Sequence, residues 1–197
     1  MFWIILRQDL LLCFRSLSKV LANFLFFSIL ITTFFLLSQN QQFKASTAIW
    51  LALFSSLIFS SSEFLKKDFE DGNIEQMLII FQNFEIFILA KMVVNWLIYC
   101  LPLAIITFTI NPNFDFLILF LLATLVINFI CCFCGSLSAL GNSAPMISII
   151  AMPLIIPILL IALGDFQTSL TLLAGLAIFF AAALSFATAK IIKIAEE

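Results

Sequence analysis

The sequence predicts an all-α integral membrane fold of about six transmembrane helices, and three observations predict it. Of 197 residues, 64% are hydrophobic and only 10% are charged, whereas soluble domains run near half and a quarter. The apolar residues fall in stretches able to cross a hydrocarbon layer of about 30 Å, which takes about 20 residues per helix. Between them, residues 63–85 gather a dense cluster of charge.

Residues 1–19 place Trp3, Leu6, Leu10, Cys13, Phe14 and Leu17 at steps of three and four, with Arg7, Gln8, Arg15, Ser18 and Lys19 on the other side. That pattern predicts an amphipathic helix lying in the membrane interface. A cleaved signal peptide is the alternative. The apolar run ends at Leu37-Ser38-Gln39-Asn40 without a small-residue cleavage pattern, so the segment reads as retained.

Six spans are expected at residues 20–37, 46–62, 86–110, 114–140, 144–163 and 170–190, forming one domain over 1–197. Ser38 to Ala45, Asn111-Pro112-Asn113, Gly141-Asn142-Ser143 and Gly164-Asp165-Phe166-Gln167 supply the breaks. With both termini cytoplasmic, eight of the nine basic residues fall on one side: Arg7, Arg15, Lys19, Lys66, Lys67, Lys91, Lys190 and Lys193. Lys44 alone falls on the other, which is the positive-inside pattern.

The segment 63–85 is too charged to cross a bilayer, yet order is written into it. Asp71-Gly72 signals a turn, Asn73 is placed to cap a helix whose third position is Gln76, and Ile74, Met77, Leu78 and Phe81 recur on one face. That greasy face must be buried. It packs on lipid headgroups or the protein's own spans, or it docks into a groove on a cytoplasmic partner.

Polar residues inside the spans come next. Lys91 lies inside the third span with Asn95 one turn further on; it snorkels to the cytoplasmic interface, or pairs with Glu85 or an acidic substrate group. Trp96 and Tyr99 read as packing aromatics or as a platform for a planar ligand. Pro102, Pro153 and Pro157 are expected to break helical hydrogen bonding, as static kinks or as marks of moving helices. Ala177, Ala181, Ser185 and Ala189 repeat every four residues and form a close-packing face.

Several functions are disfavoured. The scattered basic residues form no stripe for nucleic acid, and the chain has no His, the commonest metal and haem ligand and general base. Cys13, Cys100, Cys131, Cys132 and Cys134 lie in apolar stretches and read as small buried hydrophobes; a metal or redox role for the Cys131/Cys134 spacing is the minor alternative. No phosphate loop, zinc-protease helix, nucleophile elbow or dinucleotide fingerprint is present. The chain is therefore expected to be a non-catalytic membrane subunit that binds no ATP and no metal.

The run Glu63-Phe64-Leu65-Lys66-Lys67-Asp68-Phe69-Glu70-Asp71-Gly72-Asn73-Ile74-Glu75-Gln76-Met77-Leu78 resembles the cytoplasmic segment of the haem exporter protein B (CcmB) family, ABC-type permeases of bacterial cytochrome c maturation. Leu89-Ala90-Lys91, Trp96, Leu101-Pro102-Leu103 and Pro153-Leu154-Ile155-Ile156-Pro157 add to the resemblance, which covers nearly the whole chain. It departs at Phe81-Gln82-Asn83-Phe84, where family members place prolines, and at Gly141-Asn142-Ser143, where they carry basic residues.

The resemblance implies an ABC-2-type permease of the inner membrane with a coupling helix between spans two and three. Glu63, Lys66, Lys67, Asp68, Asp71, Gly72, Glu75 and Gln76 would dock on a partner ATPase, CcmA, in which ATP is bound. CcmC and CcmD would complete the membrane assembly with two copies of this chain. Haem would be the transported or handled ligand, through release of the haem-loaded chaperone CcmE. A permease for a lipid or polysaccharide, and a non-transporting scaffold for haem-handling subunits, are the alternatives; a membrane enzyme ranks below both.

Overall fold

The computed structural model describes residues 17–37, 45–61, 64–81, 83–141 and 145–196, and they are helical apart from short turns. The interfacial helix expected over residues 1–19 lies outside the described residues up to position 16, as do Cys13, Glu63, Gln82 and residues 142–144. The helices are α1 (Leu17–Leu37), α2 (Ala45–Ser61), α3 (Lys66–Glu70), α4 (Asn73–Ile80), α5 (Phe84–Ile110), α6 (Phe114–Gly141), α7 (Pro145–Ala162) and α8 (Phe166–Glu196).

Three of these are long and apolar enough to cross a membrane: α5, α6 and α8. The apolar stretches of α1, α2 and α7 are shorter, 20–34, 47–58 and 150–162. The membrane helices form because each is a run of Leu, Ile, Phe, Val and Ala whose backbone groups bond only to one another, as a hydrocarbon layer requires. Each ends at a polar break. Asn111 N donates to Thr107 O at 2.9 Å to close α5, and Asn113 Oδ1 accepts from Asp115 N at 2.9 Å to open α6. Between α7 and α8, Ser169 Oγ donates to Ile161 O at 2.6 Å, tying the two helices across their turn.

The α8 helix extends beyond the expected 170–190 at both ends. Lys190 and Lys193 do not stop it, because Lys193 finds a carboxylate and Lys190 lies 5.4 Å from the Phe186 ring centroid. Helix also continues through all three prolines, Pro102 in α5 and Pro153 and Pro157 in α7. Each proline therefore removes one backbone donor within a continuous element rather than dividing it. Pro153 and Pro157 are exposed and Pro102 is half-buried.

The α6 helix is the hub, packing against α8, α7, α5 and α2. Around it lies a main core with Phe27, Trp50, Leu53, Leu103, Phe120, Ile127, Ile155 and Leu173 at its centre. Trp50 sits between Phe116 and Phe120, with ring centroids 6.0 and 5.6 Å away. The small-residue face of α8 is used inside the subunit, where Ala177, Ser185 and Ala189 are buried. With lipid as apolar as leucine, close approach at such residues, rather than exclusion from solvent, is what associates helices. Ile105, Leu160, Ile178 and Phe179 point outward as a lipid-facing rind. Cys100, Cys131 and Cys134 are buried in the main core and Cys132 in a second one.

Candidate functional site

That second core joins a small hairpin, α3 and α4, to one end of the helix bundle. Phe64 and Leu65 lead into it, and Leu65 takes a left-handed φ of 59°, uncommon for a bulky side chain. Burial of the Leu65 side chain in the second core holds that strained turn in place. Phe69 N then donates to Leu65 O at 3.0 Å and Gly72 N to Phe69 O at 3.1 Å. Gly72, at φ 66°, redirects the backbone into α4; a Cβ there would meet nothing within 4 Å, so the glycine serves the dihedral and not the space.

The sequence led us to expect Asn73 as the cap of this helix. Gly72 holds the cap position instead, without a side-chain hydrogen bond, and Asn73 is the first helical residue. The left-handed turn at Gly72 starts the helix one residue earlier than a side-chain cap at Asn73 would.

On the face carrying Ile74, Met77, Leu78 and Phe81, Ile74 is buried and the other three are half-buried, and the surface they meet is the protein itself. Ile74 packs into a cluster with Phe84, Phe87 and Ile88 of α5, Phe129 and Cys132 of α6, and Ala189 and Ile192 of α8. Phe81 stacks on Phe87 at 5.1 Å, and Phe84 on Phe87 at 5.4 Å. On the opposite face Asp71, Glu75 and Gln76 are exposed beside Ile79 and Ile80, the last two 88% and 60% exposed.

A charged contact fastens the hairpin to α5. Lys91 Nζ donates to Asp68 Oδ2 with the two side chains only 14% and 29% exposed, and the same ammonium lies 5.3 Å from the Phe87 ring centroid. Side chains on a helix lean toward its N-terminus, so Lys91 points from within α5 back to the hairpin. Of its expected partners, Glu85 is taken by Lys193 at 3.2 Å. Six residues apart on one helix, positions 85 and 91 lie on different faces, which is why they do not meet.

One turn deeper, a polar clamp joins α5 to α6. Asn95 Nδ2 donates to Asn128 Oδ1 at 2.8 Å, and Asn128 Nδ2 donates to Met92 O at 2.9 Å. Cys132 Sγ lies 3.4 Å from Asn95 Nδ2. Trp96 Nε1 donates to Thr124 Oγ1 at 3.0 Å, and that hydroxyl donates to Leu121 O at 2.8 Å. Buried amides of this kind are costly in an apolar layer unless they bond to each other, as these do. Trp96 is thus a bonded packing residue. Asn128 and Thr124 were missed from sequence, although a lone amide within Leu125-Val126-Ile127-Asn128-Phe129-Ile130 was the signal.

A family profile described as CcmB protein matches residues 1–195. The chain belongs to the CcmB family. Heme exporter protein B of Escherichia coli K12 is 33% identical over 112 residues, covering 54% of this chain and 50% of that protein. The Haemophilus influenzae protein of the same name is 28% identical over 172 residues, 80% of this chain and 77% of its own. That of Pseudomonas aeruginosa is 27% identical over 186 residues, 86% and 82%. The chain thus spans about half the length of the E. coli relatives it matches and about four fifths of the other two.

In this CcmB-family chain the residues singled out from sequence fall into separate groups. Asp68 and Lys91 meet each other, and Asn95 meets α6. Asp71, Glu75 and Gln76 face outward, Lys66 is exposed, and Gly72 is the turn. Lys67 lies in α3 and Glu63 outside the described residues. Pro102 lies in α5 and Pro153 and Pro157 in α7, apart from the hairpin. Among the described residues no group of three or more His, Cys, Asp and Glu side chains is arranged to hold a metal ion.

Proposed function

We propose that this chain is the permease subunit of an ABC-type transporter for haem in cytochrome c maturation, with six spans in the bacterial inner membrane and both termini cytoplasmic. It performs no catalysis and holds no cofactor. ATP is bound and hydrolysed in a partner, CcmA, that docks on the outer face of the hairpin, while CcmC and CcmD share the membrane with two copies of this chain. The family membership and the relatives named heme exporter protein B support the haem assignment. With six spans, eight of the nine basic residues would fall on the hairpin side, and this count supports the orientation.

The observation that carries this reading is the division of the hairpin into two faces. One is packed into the bundle, and the other presents Asp71, Glu75, Gln76, Ile79 and Ile80 to solvent. Two exposed isoleucines flanked by the carboxylates of Asp71 and Glu75, held at the end of the bundle by the packed face, suit a groove on a soluble partner. Closure of the ATPase pair then displaces the hairpin and tilts the helices, which drives release of haem-loaded CcmE. With no His among its 197 residues, the chain offers no imidazole as an axial ligand, and the reading favours transmission of motion over conduction of haem.

The test is charge reversal, Asp71→Lys with Glu75→Lys. Membrane insertion is expected to stay normal while cytochrome c maturation per ATP hydrolysed by the partner falls about tenfold. Normal maturation in that variant, or failure of the unaltered chain to change the partner's ATPase rate, overturns the proposal.

A further inference from the structure

The outer face explains how a partner is met, but not how displacement enters the bilayer. Two features of the inner side bear on that. The Asp68–Lys91 pair is a charged contact that joins α3 to α5, and it is largely withdrawn from solvent. One turn further along α5, about 6 Å, Asn95 and the Met92 carbonyl are both bonded to Asn128, near the middle of α6. The α6 helix in turn packs against α8, α7 and α2. A charge held between hairpin and helix, followed by amides held between helix and hub, forms one connected series across two interfaces, the second of which also carries the Trp96–Thr124 bond.

We infer that Lys91 is a positioning residue for coupling: gripped by Asp68, it carries hairpin displacement into α5, and Asn95 passes it to α6 through Asn128. This rests on the permease reading above and names the route within it. Apolar packing alone transmits compression but resists shear poorly, because ridges and grooves can shift register; directional polar bonds resist both. The strained turn at Leu65 fits the same role, since it fixes the approach of α3 to Lys91 at the cost of an unfavourable dihedral.

The experiment compares Asp68→Asn, Lys91→Gln and the swapped pair Asp68→Lys/Lys91→Asp in the assembled complex. Three quantities are read: capture of the partner ATPase on the purified chain, its ATP turnover, and cytochrome c matured per ATP hydrolysed. Each single variant is expected to keep capture and turnover within about twofold while maturation per ATP falls about tenfold, and the swapped pair is expected to recover most of that loss. Loss of structure alone would lower capture and turnover together and leave maturation per ATP unchanged.

Maturation per ATP within about twofold of the natural chain in both singles overturns the inference. So does a fall in the ratio that the swapped pair fails to recover, which would make Lys91 act without Asp68. Should the unaltered chain capture no ATPase at all, the permease reading fails. Should capture and stimulation persist while the variants couple normally, only the route through Lys91 fails.

Discussion

The two cores of this protein are built for different tasks. The main core joins α1, α2, α5, α6, α7 and α8 mainly through apolar contacts, with Trp50 packed edge-on and tilted against Phe116 and Phe120 and Phe120 fully buried. The hairpin-end core is also rich in phenylalanine, but it is bordered by the Lys91–Asp68 and Lys193–Glu85 pairs and by the Asn95–Asn128 clamp. An apolar core tolerates repacking provided volume is kept. A core bounded by directional bonds has fewer equivalent arrangements, so it holds orientation more strictly. The bundle supplies cohesion and its hairpin end supplies register.

Substitution should separate these tasks. The largest effect is expected at Phe120→Ala in the main core, a loss of about 3–5 kcal/mol, seen as a lower midpoint of unfolding in a detergent titration. If the contrast holds, the fraction of that variant that remains folded still captures the ATPase. Gly72→Ala comes next. Its side chain has room, but the φ of 66° disfavours any L residue, so α4 is expected to lose about 1–2 kcal/mol of local stability. Faster hydrogen exchange confined to residues 66–81, with the bundle unaffected, is the measurement, and exchange spreading into α6 would break the distinction between the cores.

The smallest effect belongs to Lys193→Ala. Its pair with Glu85 at 3.2 Å has both side chains more than a third exposed, so water and salt screen it, and a change below about 0.5 kcal/mol is expected. The difference should vanish in high salt. A large, salt-resistant loss would show that this rim pair belongs with the buried polar contacts.

The membrane helices were legible because hydrocarbon imposes a simple rule. Helices end at Ile110 and Ala162, beside Asn111-Pro112-Asn113 and Gly164-Asp165, and a polar break between apolar runs is a signal the sequence carries openly. Legibility ended where charge no longer meant exit from the membrane. The run of α8 past Lys190 escaped notice because long cationic side chains can be accommodated without ending a helix. Asp68 and Lys91 were each singled out, yet their meeting depends on how Leu65 and Gly72 bend the hairpin back, which spacing alone does not encode. The burial side of α4 was equally open, because an amphipathic pattern states that a face is covered and not by what.

The length of α8 has a practical consequence. Its 31 residues make a rod of about 46 Å, longer than the hydrocarbon layer, and its last turns form a wall of the hairpin-end core through Ala189 and Ile192. Ile194 near the rod's end and Ile79 on the hairpin are both well exposed. Paired spin labels at these two sites would make a ruler from the bundle to the hairpin, and on the proposed coupling the distance between them is expected to change when the partner binds and hydrolyses ATP.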